Sequence, residues 1–198
     1  MISRIVRSRR LSFGELRNRM RRLRRCSRGV AAVEFAMVLP LMVLMLLGMT
    51  EVTFGVNMSR KLTLLSRSLA DLTGRAQSMT SSDMTTIFGA STSIMQPYDS
   101  SKVKMVISSV VVTIVSSKPV GTVDWSCAQG TGAVKRSKGT TYAVPAGFES
   151  NSSFVVAEAS LPYTPIFGYT LTGVINMSEI TPWPVRNVAQ VTWSGTAC

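Results

Sequence analysis

Three places in this sequence combine residue type and spacing in a way that could do chemistry. Glu34 is a carboxylate inside an otherwise apolar run, Gly29 stands where that run meets a block of arginine, and Cys127 and Cys198 lie far along the chain. An ionisable side chain within a membrane-length segment costs roughly 3 kcal/mol at the helix centre on insertion scales, so it normally has a partner or a task. A glycine leaves the backbone open to close approach by another molecule. The two cysteines have no C-x-x-C spacing, which points away from redox catalysis and from a zinc site.

Other chemistries find little support. The chain has no histidine, which removes Ser-His-Asp and Cys-His arrangements and the commonest metal ligand. Asp71, Asp83, Asp99, Asp124, Glu149, Glu158 and Glu179 are single and scattered, so spacing nominates no carboxylate pair. Gly130-Thr131-Gly132 is followed by Ala133-Val134-Lys135-Arg136 and fits neither a P-loop nor a dinucleotide fingerprint. The reading is a non-enzymatic protein with no cofactor, no metal and no catalytic residue.

The element that carries Glu34 is residues 30–49, apolar apart from Glu34 and Pro40. A helix of that length spans roughly 30 Å, the thickness of a bilayer's hydrocarbon core. A buried core helix is the alternative, but Leu, Met and Val on every side of 38–47 leave no polar face for water. Pro40 removes one intrahelical hydrogen bond and is expected to kink the helix. Residues 1–29 hold eleven Arg against one acid, Glu15, so almost all of the chain's formal charge of +12 lies before the run. The positive-inside rule then sets the N-terminus in the cytoplasm and residues from Thr50 onward outside. Taken alone, 17–25 would pass as a nucleic-acid-binding patch, but beside a membrane helix it reads as a topology determinant. The run is too long for a cleaved secretory signal, and no A-x-A pattern follows it.

Gly29, Val30, Glu34 and Phe35 together resemble the processing site of type IV pilin-like proteins. The resemblance implies a cut after Gly29, Val30 as the new N-terminus, Glu34 as fifth residue and Phe35 as sixth. The wider stretch RGVAAVEFAMVLPLMVLMLLGMTEV is similar to the TadE family of pseudopilins from tight-adherence (Flp/Tad) pilus systems, which share the Glu-Phe pair and a mid-helix Pro. Val30 departs from the Phe or Met that begins ordinary type IV pilins. Glu34 lies about 7 Å along the helix from the new end, in reach of a neighbouring subunit's α-ammonium in an assembly; alone, it would equally read as a carboxylate snorkelling to the interface. Asp124-Trp125-Ser126-Cys127 and Leu161-Pro162-Tyr163-Thr164-Pro165-Ile166-Phe167 resemble TadE-like segments more loosely.

Beyond the run, Val52, Val56, Met58, Leu62, Leu65, Leu69 and Leu72 recur at helical steps, and Gly74 is a plausible stop. A short helix is expected over 82–88, capped by Ser81 or Ser82. Residues 102–116, 120–127, 154–161 and 189–194 read as strands of a meander laid over the long helix. The fold class is therefore α+β: a long N-terminal helix, membrane-spanning in its first half and amphipathic in its second, plus a small antiparallel β-sheet domain. The expected divisions are a leader at 1–29, a transmembrane segment at 30–49, a helix continuation at 50–75 and an outer domain at 76–198. Cys26 falls in the reduced leader. Cys127 and Cys198 lie outside, where a disulfide closing about 70 residues would contribute roughly 4 kcal/mol; two free thiols are the alternative.

These readings converge on a minor pseudopilin of tight-adherence pilus assembly, single-pass in a bacterial inner membrane with a periplasmic domain. Its expected partners are membrane lipid, a prepilin peptidase, other pilins or pseudopilins and the assembly platform, with no nucleic acid. The competing readings are an uncleaved, signal-anchored binding protein presenting exposed Trp125, Trp183 and Trp193, and a membrane-tethered nucleic-acid binder using the Arg arm.

Overall fold

The computed structural model describes residues 27–148, 152–165, 173–196 and 198. Residues 1–26 of the leader, with Cys26, and Glu149, Ile166 and Phe167 lie outside the described residues. The first element is a helix, α1, that runs without interruption over Ser27–Arg75 and carries Pro40 inside it. The chain divides at Met49 into two compact units. The first is the N-terminal part of α1.

The second unit, from Thr50, adds β1 (Ser78–Met79), α2 (Ser81–Met95), a 3-10 turn at Ser100–Lys102, and strands β2 (Lys104–Val115), β3 (Lys118–Gln129), β4 (Thr141–Tyr142), β5 (Ser153–Tyr163), β6 (Ile175–Pro184) and β7 (Thr192–Trp193). Five strands form one antiparallel sheet in the order β4-β3-β2-β5-β6. The α+β class holds, but the connectivity departs from a simple meander: after the β2-β3-β4 run the chain crosses to the other side of β2 to lay down β5. The expected last strand is not in this sheet. β7 pairs in parallel with β1, tied further by the Ser194 amide donating to the Met79 carbonyl at 2.9 Å.

The sheet is buried on both faces in its middle, which explains why 102–116 shows no clean alternation. Met105 and Ile107 of β2 and Val155, Ala157, Ala159 and Leu161 of β5 face α1, packing with Leu62, Leu65, Leu69 and Ala70. The alternate residues Val110, Val112, Phe154 and Val156 form a second cluster with Val123, covered by Tyr142, Val144 and Phe148. A register shift lets Ser109 face Trp125 while Val110 faces Val123, leaving Asp124 as the extra residue of a β-bulge. The β2-β3 hairpin turns on Ser116 and Ser117, both at positive φ, the left-handed geometry of a two-residue turn.

Several local expectations are corrected. α2 extends to Met95 because Met84, Phe88, Ser91 and Met95 recur at helical spacing and are buried. Its cap is Thr80, one residue earlier than expected, in a reciprocal box with Asp83: the Asp83 amide donates to Thr80 Oγ1 at 3.2 Å and the Thr80 amide donates to Asp83 Oδ2 at 3.0 Å. Within the second half of α1 the buried stripe is narrower than its sequence suggests, since Val52, Val56 and Leu72 are exposed. Gly74 lies inside α1. A Cβ there would stand 3.0 Å from the Pro184 carbonyl oxygen and 3.2 Å from Trp183 Cδ1, so this glycine admits the end of β6 against the helix. Strand β6 has no counterpart among the expected strands. Its polar residues and Pro182 and Pro184 suit a sheet edge, where a missing N–H donor is tolerated.

Candidate functional site

In the first unit, α1 presents apolar side chains on every side. The span beginning at Gly29 is strongly apolar, and its most apolar stretch is not buried. Water cannot solvate such a surface without large cost, so the helix is long and apolar enough to cross a membrane once. Gly29 and Val30 are helical, and Val30 is 58 % exposed. A Cβ on Gly29 would meet nothing within 4 Å, so the glycine is not required by packing. Val30 and Glu34 are four residues apart and share one helix face. Phe35, 60 % exposed, projects on the neighbouring side. The helix continues through Pro40, although the Ala36 carbonyl necessarily lacks its usual i+4 donor there. Gly29, Val30, Glu34 and Phe35 are thus brought together within two turns.

In the second unit, Cys127 and Cys198 are brought together as a disulfide pair with Cα atoms 4.9 Å apart. Trp125 is not an exposed contact: it is 6 % exposed, and its Nε1 donates to the Val191 carbonyl at 2.8 Å. Trp183 is half-buried, packs against the core and donates to Asp71 Oδ1 at 3.1 Å. Trp193, also half-buried, lies against Trp125 with ring centroids 5.4 Å apart. Indoles this large contribute most when covered, and all three pack on the core, Trp125 fully and Trp183 and Trp193 in part. Asp71 gathers Arg75 at 2.5 Å and Arg186 at 3.7 Å as well. The hydrogen bond from Arg75 first, then the charges of Arg75 and Arg186, hold its carboxyl below the ordinary carboxylate value against the opposing pull of burial.

Glu51 was not singled out in the sequence, yet it is 1 % exposed at the start of the second unit. The Tyr163 hydroxyl donates to its backbone oxygen at 3.5 Å. Burial first, then the Glu51 charge, pushes the Tyr163 hydroxyl's pKa upward. The available signal was a second carboxylate immediately after an apolar run. No group of three or more potential metal ligands occurs among the described residues.

The exposed apolar helix carrying Glu34 also has a family counterpart. Residues 29–71 match the TadE-like protein family. The matched segment opens at Gly29, covers the apolar run, and ends at Asp71 in the amphipathic continuation. The TadE-like segment points to a protein associated with tight-adherence pili. No curated relative and no solved structure matches the chain.

Proposed function

We infer that this protein is a non-enzymatic minor pseudopilin of tight-adherence pilus assembly, made as a precursor and cut after Gly29. The observation that supports this most is the coincidence of the TadE-like match with an apolar, membrane-length helical span that also begins at Gly29 and carries Glu34. In this reading a prepilin peptidase reaches the backbone at Gly29, where no side chain intervenes. The cut frees the α-ammonium of Val30 one turn from Glu34. A carboxylate in hydrocarbon is stabilised by a partner of opposite charge, and a neighbouring pilin's new N-terminus supplies one. Phe35 and the bare faces around Pro40 then pack against other pilins or lipid.

The arginine block of 1–29 keeps the leader in the cytoplasm and sends the second unit to the periplasm of a bacterial inner membrane. There the compartment favours the Cys127–Cys198 disulfide. The assembly role is tested by Glu34→Gln, which removes the charge while keeping the shape. Piliation of cells carrying this variant is expected to fall sharply with the protein still present in the membrane fraction. Unchanged piliation would reject the pairing role of Glu34.

A further inference from the structure

An open groove of about 700 Å³ lies on the second unit, on the side where Trp193 is partly exposed. Trp125 and the Cys127-linked Cys198 form part of its wall; Lys135, Arg136 and Lys138 line it, with Asp124 among them. Each of these is positioned by something the fold does locally. The bulge in β3 makes Asp124 the extra residue, and bulges re-aim side chains in this way. Its carboxylate is then held from two sides, by Gln190 Nε2 at 2.6 Å and by Lys138 Nζ at 2.8 Å. Arg136 is fixed by Glu158, at 2.7 Å from Nε, and by the Tyr142 ring 5.0 Å beneath its guanidinium. It is a wall of the groove.

The two ammonium groups are held less firmly. Lys138 is 78 % exposed, and an exposed pair such as Lys138–Asp124 contributes little and exchanges readily. Lys135 Nζ donates to the Cys198 backbone oxygen at a long 3.3 Å. Both amines can turn to an incoming anion at little cost. The hydroxyl-bearing Ser137, Thr192 and Thr196 line the same groove as the half-buried Trp193.

We propose that this groove binds an acidic oligosaccharide, with Trp193 against a sugar ring, Lys135 and Lys138 on its carboxylate or sulfate groups, and Asp124 accepting from its hydroxyls. The volume falls in the range of small-ligand sites, and a flat indole offers a large rigid apolar surface to the C–H face of a pyranose. Asp124 favours this ligand over a single-stranded nucleic acid, which would also stack on indole and pair with lysine. It repels the anionic groups of either ligand alike, but a sugar offers it hydroxyl donors close by and a phosphodiester linkage offers none. The proposal is independent of the pseudopilin reading.

The test uses the full chain in detergent, titrated with a polygalacturonate hexamer, a neutral maltohexaose and a dT hexamer, and followed by tryptophan fluorescence and calorimetry. The arginine-rich segment before Gly29 is common to every variant, so the difference between variants isolates the groove. The part of hexauronate binding that is lost in Lys138→Gln with Lys135→Gln is expected to be salt-sensitive and to exceed the corresponding part for maltohexaose and dT by about tenfold or more. Trp193→Ala should weaken it by about tenfold, and Lys135→Gln and Lys138→Gln by about threefold each. Lys138 is exposed enough that its variant reports binding even if Trp193→Ala fails to fold. In that variant-sensitive part, equal binding of maltohexaose or preference for dT would overturn the proposal, as would absence of hexauronate binding or hexauronate binding unchanged in Lys138→Gln with Lys135→Gln.

Discussion

The two halves of α1 share one continuous helix and differ in every other respect. Over 30–49 the side chains are apolar on all faces and unburied, while over 50–75 Leu62, Leu65, Leu69 and Ala70 bury one stripe and Arg60, Arg67 and Arg75 stay in water. The difference teaches that a helix's conformation and its solvent are set separately. Both halves keep the helical backbone, apart from the donor that Pro40 withholds from the Ala36 carbonyl, but the side chains of the first half require lipid or another apolar surface, and those of the second require the sheet. Even the polar residues follow this division. Ser66, buried in the second half, donates to the Ala157 carbonyl and pairs with Thr181 Oγ1, each at 2.9 Å.

This comparison can be broken by perturbing one half and measuring the other. The largest effect is expected from reducing the Cys127–Cys198 disulfide, whose partners are 71 residues apart. Loop closure of that size is worth about 4 kcal/mol in the chain-entropy model, so chemical unfolding of the second unit should shift strongly while the helix over 30–49 remains in its detergent micelle. Loss of both together would show that the halves are not independent. Leu65→Ala follows, at about 3 kcal/mol for a fully buried leucine. Leu41→Ala, on the exposed half, should leave the same transition within about 0.5 kcal/mol. A comparable loss at Leu41 would contradict the division.

Much of this division was legible in the sequence, because lipid-length apolar runs and arginine asymmetry are strong one-dimensional signals. Gly29, Glu34 and Phe35 were readable for the same reason: they share one turn or two of one helix, so spacing along the chain is spacing in space. The second unit was read less completely. β6 was missed because an edge strand tolerates Pro182, Pro184 and a polar sequence. The full length of α2 was hidden by Ser, Thr and Gly between its buried Met84, Phe88 and Met95. Nothing local signals that Asp124 is bulged or that 192–193 pairs with 78–79, since both follow from long-range register. Gly74 looked like a helix stop because glycine often is one; its neighbours Pro184 and Trp183 come from more than a hundred residues away.

Gly74→Ala sharpens that last point. The added methyl meets a carbonyl oxygen at 3.0 Å, and overpacking of this kind costs about 1 to 3 kcal/mol, whereas a simple helix terminus would tolerate alanine. At the β2-β3 turn the sign reverses: Ser116→Asn with Ser117→Gly supplies residues that prefer positive φ, and the second unit should gain about 1 kcal/mol in denaturant titration. The smallest effect is in pH. Asp71, Asp83 and Asp99 are all held below the ordinary carboxylate value, chiefly by hydrogen bonds from Arg75, Thr80 and Ser101 respectively. Their contribution is fully present above the unfolded value, about pH 4, and is lost as pH falls through their lower folded values. Asp71→Asn should flatten the acid limb of the stability profile and leave neutral-to-alkaline behaviour alone.

The central claim is that the first half of α1 is trimmed at Gly29 to become an assembly element. N-terminal sequencing of the protein extracted from membranes of cells that contain the cognate peptidase tests it directly. The expected sequence begins at Val30 and reads Val-Ala-Ala-Val-Glu-Phe, and Gly29→Leu, at a position where an added Cβ meets nothing within 4 Å, should leave the leader attached. Recovery of the uncut chain from Met1 in cells with active peptidase would contradict the account.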